Sequence, residues 1–204
     1  MDISEIVVGV VDVGAPKNIG WAIKFRGQDE TGQNLDDFIG RYRELVTHHP
    51  GVLGFEAPLF IPVNRQLAKI TSQRCGEAGR PWSAGAGATV TTIGLAVMSH
   101  VFEGLRKNLA DSSFTLGWHD WSPEESILVF EAFVSGVAHA GKGDHHLDAL
   151  KAANMFSSAY PDLSAANAVE ETRVLSLAGA CMLRAGVIVE EQDALSAPVL
   201  VIKP

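Results

Sequence analysis

Cysteine is scarce in this chain, with only Cys75 and Cys181 in 204 residues, far apart and without metal-ligand spacing around either. A disulfide framework and a thiolate metal site are both argued against, so free structural thiols without redox chemistry are expected. Positive charge is also short, at 16 Lys and Arg against 24 Asp and Glu, for a net charge of −8. That balance excludes a broad electrostatic grip on nucleic acid, leaving only local or metal-mediated contact. No unbroken apolar run reaches the roughly 18 residues that span a bilayer, and the amino terminus is acidic where a signal peptide would be basic. No membrane partner and a cytoplasmic location are the expectations. Repeats, low-complexity tracts and linkers are missing too, and the length suits one domain. What the chain does have is apolar content, 47% hydrophobic against 20% charged, which is the composition of a folded protein with a substantial core.

That apolar content is organised into short runs that end in acids. Glu5 to Asp12 reads Glu-Ile-Val-Val-Gly-Val-Val-Asp, and Gly14 and Pro16 break it soon after. A short run rich in β-branched residues predicts a strand covered on both faces, with Asp12 at its carboxyl end. A carboxylate there needs a partner: a metal ion, a turn of backbone N–H groups or an arginine. A plain turn-forming Asp is the alternative. The pattern recurs in Val52 to Glu56, ended by Pro58, and in Ile127 to Glu131. Ile19 to Arg26 alternates apolar and polar residues, which predicts a half-buried strand hairpinned onto the first.

Between these strands the spacing predicts helices over Leu35 to His48, Thr89 to Leu109, Asp144 to Tyr160 and Ala168 to Ala185. Asp144 is the expected N-cap of the third helix, Pro161 its stop, and Leu147, Leu150, Ala153 and Phe156 its inner face. His145 and Asp148, three apart, share one side of its first turn. His48 and His49 read as a solvated helix end, and His100 as a core or boundary histidine. Leu59 to Ala88 loses periodicity and carries Arg65, Lys69, Arg74 and Arg80, which either bind substrate phosphates or offset nearby acids. Gly85-Ala-Gly87 lacks the Gly-Lys-Ser/Thr of a phosphate-binding loop. Trp118 and Trp121 flank His119 and Asp120 and either pack over the sheet end or stack on bases. Phe133 to Gly143 reads as loop, and Pro198 to Ile202 as an edge strand.

Taken in this order, the chain resembles the ribonuclease H-like superfamily, and within it Holliday-junction resolvases of the RuvC type and uncharacterised predicted nucleases that share their core. The resemblance rests on Val10-Val-Asp12-Val-Gly14 with Gly20-Trp21, on Gly54-Phe-Glu56-Ala-Pro58, and on His145-His-Leu-Asp148-Ala-Leu150, across roughly residues 5 to 160. It implies an α/β fold with a ribonuclease H-like mixed central sheet and helices on both faces. It also implies catalytic Asp12, Glu56, His145 and Asp148, with Asp12, Glu56 and Asp148 as ligands of Mg²⁺ or Mn²⁺. Glu131 and Asp144 are expected just outside those ligands. The chain departs from the pattern in its acidic balance, its long segment from Leu59 to Ala88, the additional acid Glu131, and the lack of an evident third antiparallel strand between Gly27 and Leu35.

The chemistry expected is phosphodiester hydrolysis, in which two divalent ions about 4 Å apart charge-stabilise the attacking and leaving oxygens. Asp12 would bridge the ions, Glu56 and Asp148 would each hold one, and His145 would complete a shell or relay a proton. Arg74 or Arg80 would neutralise the substrate phosphate. Nucleic acid is the expected partner, and a second copy of the chain is a candidate one. Two competing readings are an actin-like ATPase lobe, whose first strand also ends in Asp-x-Gly, and a binding module that kept the fold without activity.

Overall fold

Every residue of Val7–Asp12 is buried, and this strand, β1, lies within the sheet. The computed structural model describes all residues except 65, 78–81, 108, 110–112, 133–143, 191 and 203–204. The loop expected over Phe133 to Gly143 therefore lies outside the described residues, as do Arg65 and Arg80. β2 (Gly20–Phe25) runs antiparallel to β1, pairing Gly20 with Asp12. Arg26 and Gly27 then take φ of 49° and 73°, and Phe25 pairs with Gln28. Two successive positive φ values are what a two-residue hairpin needs to match the twist of its strands.

The strand that follows, β3 (Gln28–Gly32), overturns the expectation that no third antiparallel strand exists. It is mostly exposed and carries no apolar alternation. Its register comes from the turn and from cross-strand charge pairs such as Lys24 Nζ with Asp29 Oδ1 at 3.0 Å.

α1 (Leu35–Val46) is capped by Asn34, whose side chain accepts the Asp36 N–H, and leads into β4 (Gly51–Glu56), parallel to β1. After β5 (Phe60–Pro62), α2 (Gly85–Arg106) starts four residues before its expected beginning. β6 (Ser113–Thr115) and β7 (Ser126–Ala132) follow, then α3 (His145–Ala159), the short α4 (Leu163–Ala166) and β8 (Val174–Ser176). α5 (Leu177–Ala185), β9 (Ile188–Val189) and β10 (Leu200–Ile202) complete the chain. The last helix is thus half the length expected. Residues 167 and 168 are drawn instead to β10, where Ala168 N donates to Val201 O at 2.7 Å and Asn167 Oδ1 accepts from Val201 N at 3.0 Å.

Among the described residues the main sheet has eight strands. Its order is β3-β2-β1-β4-β7, with β6 and β10 sharing the outer edge of β7 and β9 beyond β6. In this sheet β2 runs antiparallel to both β1 and β3, and the remaining pairings are parallel. β5 and β8 form a separate pair. The chain is therefore α/β, with a mixed sheet and helices on both faces.

The pleat sorts the core. Val7, Val11, Leu53, Phe55 and Val129 pack with Phe38 and Tyr42 of α1, Val101 and Phe102 of α2, and Met182 of α5. Val8, Val10, Val52, Leu128 and Phe130 pack with Ala149, Ala153 and Phe156 of α3 and with Leu163. Phe156 packs against Phe130 in a tilted pair with ring centroids 4.6 Å apart, and truncating such a buried ring costs about 3–5 kcal/mol. Because successive residues alternate faces, Asp12 and Glu56 share the α3 side, whereas Glu131 falls on the α2 and α5 side.

Trp118 is buried on the α3 face, and Trp121 meets the rings of Phe156 and Tyr160, so both tryptophans pack over the sheet. His100 is exposed, not the core or boundary residue expected, and its Nε2 lies 2.9 Å from Asp36 Oδ1 at the surface. α2 is long and apolar enough to cross a membrane by length and composition, contrary to the expectation that no segment would be. Its residues Val97, Met98, Val101, Phe102 and Leu105 are buried within the protein.

Candidate metal centre

Asp12 and Glu56 end adjacent parallel strands as direct register partners. Each strand stops where its sequence breaks, at Gly14 and Pro16 for one and Pro58 for the other. The first turn of α3 lies over this strand end. Its approach depends on Gly20, the partner of Asp12 on β2, because a Cβ there would stand 2.2 Å from the carbonyl carbon of His145. Only a glycine lets helix backbone and strand backbone come so close.

That contact sets His145 Nδ1 2.6 Å from Asp12 Oδ2. Asp148, one turn further along, is also buried, and one ligand atom each from Asp12, His145 and Asp148 falls within 4.8 Å of the other two. Glu56 joins the same group through a hydrogen bond with Asp12. Its Oε2 is buried and has no hydrogen-bond partner among the described residues. All four residues expected from the sequence are therefore brought together by two strand ends and one helix turn.

Burial, then the charges of Asp12 and Asp148, push the Glu56 carboxyl up to about 9. Glu56 is thus the proton donor in its bond to Asp12. Burial also raises Asp12, against the hydrogen bond and charge of His145, which hold it down. One cation acts in the opposite sense on Glu56: Lys151, whose charge lowers it. Lys151 was not among the expected site residues. Its signal was present in the spacing, since it follows Asp148 by three residues and His145 by six on the same helix.

Other expected site residues are placed differently. Arg74 is 1% exposed and donates through Nη1 and Nη2 to the two carboxylate oxygens of Glu131, each at 2.7 Å. A guanidinium held this way cannot meet a substrate phosphate. Glu131, expected beside the cluster, sits on the opposite face of the sheet, and β4 separates its strand from β1. Lys69 is exposed on a single 3-10 turn, Leu67–Lys69. Asp144 occupies the N-cap position of α3 without a side-chain cap, and its carbonyl accepts the N–H of Leu147 and Asp148.

No family model, curated protein or solved structure matches this chain. The donor set itself indicates what it can hold. Three carboxyl groups and one imidazole suit Mn²⁺, or Mg²⁺ through the oxygens, better than a soft metal that prefers thiolates. The buried Glu56 Oε2 fits a cation as its missing partner, since a buried acceptor without one is costly.

Proposed function

We propose that this chain is a divalent-metal-dependent nuclease of ribonuclease H-like architecture that hydrolyses phosphodiester bonds. The observation that carries the reading is the convergence of Asp12, His145 and Asp148 within 4.8 Å, beside a Glu56 that contacts Asp12 and has a buried, partnerless Oε2. The strand order adds support: β3, β2 and β1 pair antiparallel, β4 and the strands beyond it join in parallel, and a helix bearing His145 and Asp148 lies over the ends of β1 and β4.

Asp12, Glu56 and Asp148 would hold Mg²⁺ or Mn²⁺. When bound, such ions lower the pKa of water and stabilise the charge on attacking and leaving oxygens. The protein's own part is to organise and to move protons. Asp12 touches both Glu56 and His145, so it is the carboxylate at the centre of the group and would be the principal ligand. To hold a cation, Glu56 would have to release its proton to solvent and Asp12 would have to exchange its bond to the His145 imidazole for the metal. His145 Nδ1 is engaged by Asp12, so proton transfer to a leaving oxygen would run through Nε2. With a net charge of −8 and Arg74 turned inward, contact with a polynucleotide is short and local.

Crystals soaked in Mn²⁺ test the site, with anomalous peaks expected at Asp12. Cleavage of labelled single-stranded, duplex and branched nucleic acids, comparing wild type with Asp12→Asn, tests the activity. The asparagine variant should lose essentially all divalent-dependent cleavage. Equal activity of the two proteins, or no Mn²⁺ at Asp12, overturns the proposal.

A further inference from the structure

Among the described residues the largest fully buried side chain is that of Arg74, and it belongs to a charged triad outside the candidate metal centre. Arg74, Glu77 and Glu131 have side chains 0–1% exposed. Beyond its paired bonds to Glu131, the Arg74 guanidinium donates to Glu77 Oε1 at 3.1 Å and lies 4.9 Å over the Phe60 ring. The Arg74 N–H donates to Glu77 Oε2 at 3.0 Å. Burying three charges is expensive, and apolar residues of the same volume often give equal or greater stability. Stability alone is therefore a poor reason for the triad, and its geometry offers another.

Glu131 Oε2 has one further bond, from the N–H of Leu59 at 2.9 Å. Leu59 is three residues beyond Glu56. Its carbonyl accepts from the first N–H groups of α5, Leu177 at 2.8 Å and Ala178 at 3.0 Å. Leu59 is thus fixed through both its N–H and its C=O. Of the two residues between it and Glu56, Pro58 has a restricted φ and no N–H, and Ala57 is wedged against Gly94, where an added Cβ would come within 3.0 Å of it. The stretch that ends β4 is anchored from one face of the sheet while Glu56 works on the other.

We infer that Glu131, charged and oriented by Arg74, is a positioning residue for the metal centre: by holding the Leu59 N–H it fixes the end of β4 and so the aim of Glu56. This builds on the metal-site reading above. The segment from Leu59 to Ala88 supplies Arg74, so folding of that segment completes the support behind Glu56. A bound cation constrains its carboxylates to narrow distances, and loss of an outer support of a ligand typically weakens affinity by about 10–100-fold.

The test compares two triple variants in which no buried charge is left unpaired. R74M/E77Q/E131Q retains an amide oxygen for the Leu59 N–H; R74M/E77Q/E131L fills the same space without one. Mn²⁺ affinity by titration and backbone hydrogen exchange at Phe55, Glu56 and Ala57 are measured in both and in wild type. The leucine variant should bind Mn²⁺ at least about tenfold more weakly than the glutamine variant, and its exchange at those three amides should be faster. Faster exchange confined to residues 66–77 would show an anchor for the segment alone and would overturn the inference. So would equal exchange at Phe55 to Ala57 in the two variants. If wild type binds no Mn²⁺, the metal reading fails, while the exchange comparison still decides whether Glu131 fixes the end of β4.

Discussion

Asp12 and Glu56 are register partners on neighbouring parallel strands, and their carboxyl groups share a hydrogen bond on the face covered by α3. Parallel pairing sets the two Cα atoms about 5 Å apart along the hydrogen-bonding direction. Two charged carboxylates at that spacing, under a helix, repel strongly, so one keeps its proton. In the metal-site reading proposed above, it is the backbone ladder itself that sets these two carboxyl groups side by side for a cation.

The pH dependence of stability follows from this relationship. The folded Glu56 carboxyl titrates near 9, against an ordinary value of 4.5. Between those two values the folded protein holds a proton that the unfolded chain has released. Stability of the metal-free protein should therefore fall as pH rises through that window, by up to about 1.4 kcal/mol per pH unit for a one-proton difference. Urea unfolding from pH 5 to 9 in EDTA measures the slope. Glu56→Gln should flatten it and leave the protein more stable than wild type at pH 8. A slope unchanged by that substitution would place the retained proton elsewhere.

Gly20→Ala should act on the centre without altering any of its four side chains. The φ of Gly20 is not in the left-handed region, so the effect is one of space alone. A methyl group 2.2 Å from the His145 carbonyl carbon forces the first turn of α3 off the sheet, and overpacking of this kind costs about 1–3 kcal/mol. Mn²⁺ affinity should fall along with Tm. A variant that melts early yet binds Mn²⁺ like wild type would show that α3 shifts without disturbing His145 and Asp148.

How much of this was legible in the sequence depended on whether the signal was local. The strands carrying Asp12, Glu56 and Glu131 could be read because each is an apolar run closed by an acid, and His145 with Asp148 because i and i+3 share a helix face. β3 gave no such signal, since Gln28 to Gly32 is a polar edge whose register comes from the Arg26–Gly27 turn. The inner face of α3 was misread at Leu147, which is exposed; Asp148, Ala149, Ala152 and Ala153 face inward, because a helix this close to the sheet needs small residues there. Arg74 reads in the sequence as a phosphate contact or an offset to nearby acids, because its actual partner is 57 residues away. Strand parity alone set Glu131 on the opposite face from Phe130, but not opposite an arginine.

Arg74→Ala is expected to behave as the loss of a buried ion pair. With Glu131 and Glu77 left without their counter-charge, the variant should lose about 3–5 kcal/mol of stability. Added salt should change that loss little, because the pair is screened from solvent. The contrasting outcome is a stable variant whose nucleic-acid affinity falls with a reduced salt slope, as for an arginine on phosphate. Urea unfolding at two salt concentrations, together with a binding titration on the folded fraction, separates the two.

Lys151 supplies the last prediction, because its charge is what keeps Glu56 from rising further. A cation entering the centre must displace the Glu56 proton, so any change that raises the Glu56 carboxyl raises the pH at which metal binds. Lys151→Met removes one favourable charge at the helix surface, an interaction worth on the order of 0.5–1 kcal/mol at an effective dielectric between protein and water. The midpoint pH of Mn²⁺ binding should accordingly move upward, with affinity at pH 7 about threefold weaker. Lys151→Glu should move it further in the same direction, and Lys151→Arg should leave it in place. Titrating Mn²⁺ into the four proteins at pH 6, 7 and 8 gives the comparison. Identical curves for Lys151→Met and wild type would mean that this charge is spent on solvent and does not reach Glu56.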